Sequence, residues 1–276
     1  MTRLLLTIPV HNEEGILYES VHRLVDRLEG SGLDYRLALA EDGSTDRTGE
    51  EIAQLQAEIP GLIVQRIPRR VGRGLALRRL WGAVDADVYA FLDADMPADT
   101  AALVDVLHAI EDGADVATGS RYCLGAEVHR PPVRSLTSLA YNGLVRFLFD
   151  EPIRDHQCGL KAFRREAVRV LLPMSREDSW AWDTEILLLA LRMRFQVAEV
   201  PISWTERRYR RTPLRRLLSD VRLHGTFLLR LRSDLVDRIR AADAADLAVQ
   251  EVPLPVPRVR ESPGRATYAA PSTAPD

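Results

Sequence analysis

Residues 88–97 read VYAFLDADMP. Five apolar residues in a row, with a β-branched and two aromatic side chains, read as a strand buried on both faces. The run then breaks into two aspartates one residue apart, Asp93 and Asp95, followed by a proline. Carboxylates beside an apolar core are costly unless something pairs with them. In an extended chain, residues i and i+2 share a face about 6–7 Å apart, so both carboxylates can address one bound group. A hard cation such as Mg²⁺ or Mn²⁺ suits such oxygens, and a substrate diphosphate completes a site that two carboxylates alone leave weak. The alternative is a pair of aspartates capping a helix that starts near Ala98.

Working outward, LLLTIPV (4–10), YRLALA (35–40), LIVQRI (62–67) and DVATGS (115–120) are further short apolar runs. Helical patterns near 15–29, 47–58, 73–84 and 99–111 separate them. Strand and helix alternating at this spacing predict an α/β fold, a mostly parallel sheet with helices on both faces. Ligands bind such sheets beyond the carboxyl ends of the strands. HNEE, EDGSTD and DADMP all fall at such ends, placing three acidic clusters on one rim. Each of the first two also fits an ordinary strand-to-helix turn. The Gly-rich phosphate loops GxGxxG and GxxxxGK[ST] are absent, and VGRG (71–74) is too short to be specific.

The second half predicts a helix over 133–149, an extended QCGLKAF (157–163), a helix over 183–194 and a strand QVAEVPISW (196–204). From Leu214 to Arg240 apolar residues follow helical spacing, with a possible break at Gly225. Between Trp204 and Arg240 eleven arginines oppose four acids, a local +7 in a chain of net charge −3. An acidic body with a basic segment suits a phosphate-bearing partner, such as a membrane surface, a phospholipid-like substrate or nucleic acid. Lys161 is the sole lysine among 37 basic residues. Two cysteines, Cys123 and Cys158, make no disulfide framework and point to a reducing compartment. No CxxC or HxxxH pairing suggests zinc. The amino-terminal apolar run is too short for a signal peptide, and no run reaches the ~18 apolar residues of a membrane span. The expected organisation is a catalytic domain over 1–212, a basic amphipathic segment over 213–240 and a disordered Ala/Pro-rich tail over 241–276.

IPVHNEE (8–14), EDGSTDRT (41–48), FLDADMP (91–97), GSRY (119–122), RSLTSLAYN (134–142), DHQCGLKAFRR (155–165), WAWDTEILLLA (180–190) and EVPISW (199–204) are a set. Together they resemble the family 2 glycosyltransferases of GT-A fold, and within them the dolichyl- and polyprenyl-phosphate sugar transferases. The resemblance spans roughly residues 3–212. It implies that Pro9, His11 and Glu13 line the nucleotide, with His11 where the family usually has Tyr, and that Asp42 contacts the base or ribose. It implies that Asp93 and Asp95 hold Mg²⁺ or Mn²⁺ and the donor diphosphate. Arg121, Arg134, Ser138 and Arg207 would meet phosphate, chiefly that of the lipid acceptor, with Asp183 and Glu185 near the donor sugar. Dolichyl-phosphate mannosyltransferases often carry Gln where this chain has Pro97, so Asp99 or water would substitute as a ligand, or metal binding would be weaker. QCGLK and WAWDTEILLLA look more like the glucosyltransferase branch, which favours UDP-glucose over GDP-mannose.

The expected function is therefore an inverting, metal-dependent hexosyltransferase making polyprenyl-phosphate sugars. It would work from the cytoplasmic side, peripheral on the inner membrane face, with segment 213–240 docking to lipid and no nucleic acid involved. A phosphate acceptor, with a second pKa of about 6, needs arginines to position it and no base. A hydroxyl acceptor needs a carboxylate base, and Asp183 is the candidate in that alternative. A non-catalytic nucleotide-sugar binding protein is the third reading.

Overall fold

A computed structural model describes residues 3–96, 100–205 and 225–238. The strands are β1 (Leu4–Val10), β2 (Tyr35–Asp42), β3 (Ile63–Ile67), β4 (Val88–Leu92), β5 (Val116–Ser120), β6 (Glu127–His129), β7 (Leu160–Arg164), β8 (Val197–Pro201) and β9 (Ser203–Thr205). The helices are α1 (Leu17–Leu28), α2 (Thr48–Glu58), α3 (Arg73–Ala83), α4 (Thr100–Glu111), α5 (Pro132–Phe149), α6 (Arg165–Met174) and α7 (Trp182–Arg192), then α8 over residues 225–238.

Seven strands form one sheet in the order β3-β2-β1-β4-β7-β5-β8, and β6 pairs with β9 in a separate parallel ladder. Every pairing in the large sheet is parallel except those of β7, which runs antiparallel to both β4 and β5. Side chains alternate with period two across this sheet. Leu4, Leu6, Ile8, Val88, Ala90 and Leu92 enter the core that includes residues of α1, α2 and α4. Leu5, Ala38, Ala40, Tyr89 and Phe91 enter the opposite core, with α3 and α5 to α8. Trp81 of α3 anchors that second layer, its indole N–H donating to Thr7 at 2.9 Å while its rings meet Phe163 and Trp182. A sheet covered on both faces leaves its strand ends as the place for polar chemistry.

Two expectations need correction, and one helix has no counterpart among them. The aspartate pair is not in a strand: β4 stops at Leu92, and a turn closes with the Met96 amide donating to Asp93 O at 2.9 Å, Met96 itself at a φ of 43°. Shared strand-face geometry therefore does not place the two carboxylates. QCGLKAF is extended only from Leu160, because a turn at His156 and Gln157 and a bend at Gly159 lead into β7, which runs antiparallel. Helix α6 begins directly after β7 at Arg165 and carries Pro173 in its last turn. With no loop ahead of it, it lacks the punctuation that marks a helix start in sequence.

The predicted amphipathic segment is described only in α8, which turns its apolar stripe inward. Leu228, Leu231 and Leu235 are buried in the second core, and Arg238 reaches Glu185 at 2.6 Å. Outward-facing apolar side chains lie on α5, where Val133, Leu136, Leu139 and Phe147 are exposed, Phe147 by 83%, while α8 also leaves Leu229 and Val236 outward. Among the described residues no helix is long and apolar enough to cross a membrane.

Candidate active site

The rim is built from the ends of β1, β2 and β4, and the antiparallel β7 adds the turn that precedes it. After β1, the His11 Nδ1 meets the Asp42 carbonyl at 2.8 Å, and Asn12 adopts a φ of 56° so that its amide reaches Ser44 Oγ at 3.0 Å. The Glu13 amide donates to Thr48 Oγ1 at 2.8 Å, while Pro9 stays in β1 opposite Ala40. The sequence clusters HNEE and EDGSTD are thus stitched together into one wall.

Asp42 is buried, and both its oxygens accept backbone amides, Val71 at 2.6 Å and Gly72 at 2.8 Å. This carboxylate fixes the start of α3. Gly72 has a φ of 103°, and a Cβ there would strike the Asp178 carbonyl; the Gly74 amide donates to that same carbonyl at 2.8 Å. VGRG is therefore the docking point of α3 against the 177–182 loop, and it carries Arg73 to the centre of the site.

Arg73 bridges two carboxylates. Its Nη1 donates to Asp93 Oδ1 at 2.9 Å and its Nη2 to Asp183 Oδ2. The other oxygen of Asp183 accepts from Lys161 Nζ at 3.2 Å. Lys161 is fully buried and donates also to the carbonyls of Cys158 at 2.6 Å and His156 at 3.1 Å. Burial pushes its ammonium down to about 8, so it remains protonated at neutral pH. Two cations and two carboxylates make a set of zero net charge, as a buried cluster requires. Asp93 is held from below as well: its amide donates to the Gly159 carbonyl at 2.9 Å, and a Cβ on Gly159 would fall on the Asp93 carboxylate. Neither Arg73 nor Lys161 was singled out as a site residue by sequence; Lys161 carried one signal, being the lone lysine.

The other expected residues separate into two groups. Arg121 is almost wholly buried, with Nε and Nη2 donating to the two oxygens of Asp155 at 2.7 and 2.8 Å and the guanidinium 4.8 Å from the Trp204 ring centroid. Burial disfavours its charge, but the Asp155 bonds win and hold its pKa above the ordinary value. Arg121 therefore braces the loop between β5 and β6. Glu185 is also spent on structure, accepting from the amides of Arg176 and Glu177 and from Arg238. At the entrance to α5, Arg134 is half-buried on the first turn, and Ser138 Oγ accepts from Arg130 Nη1 at 3.3 Å. Arg130 joins that cluster without a sequence cue. Pro97, Asp99 and Arg207 lie outside the described residues.

Asp93 and Asp95 lie in the turn that follows β4 and offer hard carboxylate oxygens there. Among the described residues no group of three His, Cys, Asp or Glu side chains could hold a metal. The pair fits a divalent cation when diphosphate oxygens and water supply the remaining ligands, as is usual for Mg²⁺ sites.

The chain belongs to glycosyl transferase family 2, whose profile matches residues 6–172. It is 37% identical over 202 residues to glycosyltransferase AglD of Haloferax volcanii, covering 72% of this chain and 32% of that one. It is 32% identical over 212 residues to polyprenol monophosphomannose synthase of Mycolicibacterium smegmatis, covering 74% and 78%. To dolichyl-phosphate beta-glucosyltransferase of Saccharomyces cerevisiae it is 29% identical over 221 residues, covering 73% and 66%. It thus spans about a third of AglD and two thirds of the yeast enzyme. Among solved structures, glucosyl-3-phosphoglycerate synthase from Mycobacterium tuberculosis, in complex with Mn²⁺, UDP and glucosyl-3-phosphoglycerate, matches with a TM-score of 0.57 at 21% identity, covering 86% of this chain and 80% of that one. The shared architecture is the GT-A fold.

Proposed function

We propose that the chain is an inverting glycosyltransferase moving a hexose from a nucleotide diphospho-sugar, UDP-glucose ahead of GDP-mannose, to a polyprenyl phosphate. The observation that carries this reading is the state of Asp183. It is fully buried and accepts from both Arg73 and Lys161. A carboxylate held between two cations is a poor proton acceptor, so it is unsuited to activate a hydroxyl. A phosphate monoester needs no such help, since with a second pKa of about 6 it is already anionic at pH 7.

An acceptor phosphate oxygen forms the bond to the anomeric carbon on the face opposite the leaving group. The bond to the nucleotide diphosphate breaks, through an oxocarbenium-like transition state. A divalent cation bound at Asp93 and Asp95 supplies charge neutralisation to the departing diphosphate. The chain's own contribution is positional. The wall formed by His11, Asn12 and Glu13 lies along the nucleotide side, Gly159 and Arg73 set the orientation of Asp93, and Arg130, Arg134 and Ser138 form the acceptor-phosphate site. Arg121 supports that site through Asp155, and Arg207 is kept as a further phosphate contact. The exposed apolar side chains of α5 continue from the same helix, and a polyprenyl chain or a membrane surface suits them. The relatives named for polyprenol and dolichyl phosphate, and the Mn²⁺–UDP complex of the structural neighbour, support the same reading.

The test is a donor screen. The protein is incubated with polyprenyl phosphate, Mg²⁺ or Mn²⁺ and a panel of UDP- and GDP-sugars, and glycolipid is extracted. UDP-glucose should give the largest yield, and chelation should abolish it. Transfer to a water-soluble hydroxyl acceptor without lipid would overturn the reading.

A further inference from the structure

The bridge from Arg73 to Asp93 has a role that positioning alone does not cover. A guanidinium cannot shed its proton in a protein, so Arg73 is a permanent cation 2.9 Å from an oxygen of Asp93. A divalent ion of the Mg²⁺ kind ligated by that oxygen would sit about 2.0–2.1 Å from it, and so within a few ångström of the guanidinium. At that range like charges repel strongly in a partly buried site, and here the side chains of Arg73 and Asp93 are only 23% and 27% exposed.

The backbone at Arg73 cannot shift to avoid this, so only the guanidinium's bond to Asp93 can give. Asp42 and the Asp178 carbonyl pin the backbone on either side of it, and Asp183 holds its Nη2. Its Nε is buried and has no hydrogen-bond partner among the described residues. An unmet buried donor in a side chain that spans two carboxylates points to an acceptor that arrives later. A diphosphate oxygen is an acceptor of that kind, bearing the negative charge that would relieve the repulsion.

We propose that Arg73 is a positioning residue that guards the metal site: it occupies Asp93 in the free enzyme, disfavours a bare divalent cation, and yields when the cation arrives with a nucleotide diphosphate. This rests on the reading of Asp93 as a metal ligand. The device keeps the carboxylate oriented without a metal and makes cation and donor bind as one unit.

The experiment measures Mn²⁺ binding by the loss of the free-ion EPR signal, with and without UDP, in the full chain. Wild type should bind Mn²⁺ weakly alone and much more tightly with UDP. Arg73→Gln should bind Mn²⁺ alone at least tenfold more tightly than wild type, with that gain shrinking below threefold once UDP is present. Arg73→Lys keeps a charge but lacks the fork to span both carboxylates, and should show a smaller gain of about threefold; it also serves if the Gln variant does not fold by circular dichroism. If neither folded variant binds Mn²⁺ more tightly than wild type without UDP, the proposal is overturned. Asp93→Asn separates the two layers. If it loses Mn²⁺ binding while the Arg73 variants gain none, only the guarding role fails. If it binds as wild type does, the metal reading of Asp93 fails and the guarding role with it.

Discussion

Replacing Gly159 by alanine probes the site through a single methyl group. The added Cβ would overlap the carboxylate of Asp93, and no other group is among its three nearest neighbours. The carboxylate is the free end of a side chain, so it can rotate away while the backbone stays. The cost to stability is that of a modest overpacking, about 1–3 kcal/mol, part of it from weakening the Arg73 bridge. On the proposed metal role of Asp93 the cost to activity is larger, because the carboxylate no longer points where a metal and diphosphate would sit. A misplacement of about 1 Å can cost 100-fold in rate. Gly159→Ala should therefore fold, with a urea midpoint lowered by no more than that overpacking predicts, yet lose roughly 100-fold in glycolipid synthesis. Gly74→Ala is the contrast, since its Cβ would meet the Glu177 carbonyl at 2.5 Å and Trp182 Cβ at 2.6 Å, both on or beside backbone. There stability should fall first, and activity only with it. Wild-type turnover in Gly159→Ala, or a loss of activity no greater than its loss of folded protein, would refute the reasoning.

Removing the charge of Arg121 by Arg121→Gln leaves Asp155 buried without its cation, keeping the residue-121 amide at 3.0 Å, a change that costs up to about 3–5 kcal/mol in comparable pairs; equilibrium urea unfolding should register it. Arg134→Ala should raise KM for polyprenyl phosphate about tenfold, consistent with the 1.5–3 kcal/mol of a charged hydrogen bond, while leaving KM for the donor unchanged in steady-state assays. The buried pair Lys161 and Cys158 predicts an alkaline stability profile. Burial lowers Lys161 to about 8 from an ordinary 10.5, so between those values the unfolded chain binds more protons and stability rises with pH. Burial raises Cys158 to about 12 from an ordinary 9.0, so from pH 9 upward the folded chain holds the extra proton and the gain is cancelled. Urea midpoints should climb from pH 8 to 9 and then level, and in Cys158→Ala the climb should continue to about pH 10.5.

The alternating half of the fold was legible because strand and helix periods are local. β1, β2 and β4 show their apolar runs, and the helices between them show their spacing. β7 was not legible in direction, since nothing local in QCGLKAF records that its neighbours run the other way. Its reversal is what brings Gly159 and Lys161 to the same rim as Asp93. The site followed the same division. Asp93 and Asp95 stood out as carboxylates at the end of an apolar run. Arg73 did not, because one arginine among so many carries no signal until the docking of α3 shows where it points. Arg121 was visible as part of GSRY, but its commitment to Asp155 depends on two loops meeting 34 residues apart in sequence. The stripe of α8 had the right period for either a lipid surface or a core, and periodicity alone does not say which side a helix presents.

Lys161 closes the site from beneath, and it is the chain's one lysine. The described surface therefore offers no side-chain primary amine. Acyl groups, methyl groups and ubiquitin-like tags that are conjugated to lysine have a single address here, and it is sealed in the core. The positive charge of the surface, carried by arginine alone, lies beyond the reach of lysine acetylation. An amine-reactive probe that marks Lys161 would report the opening of the site itself.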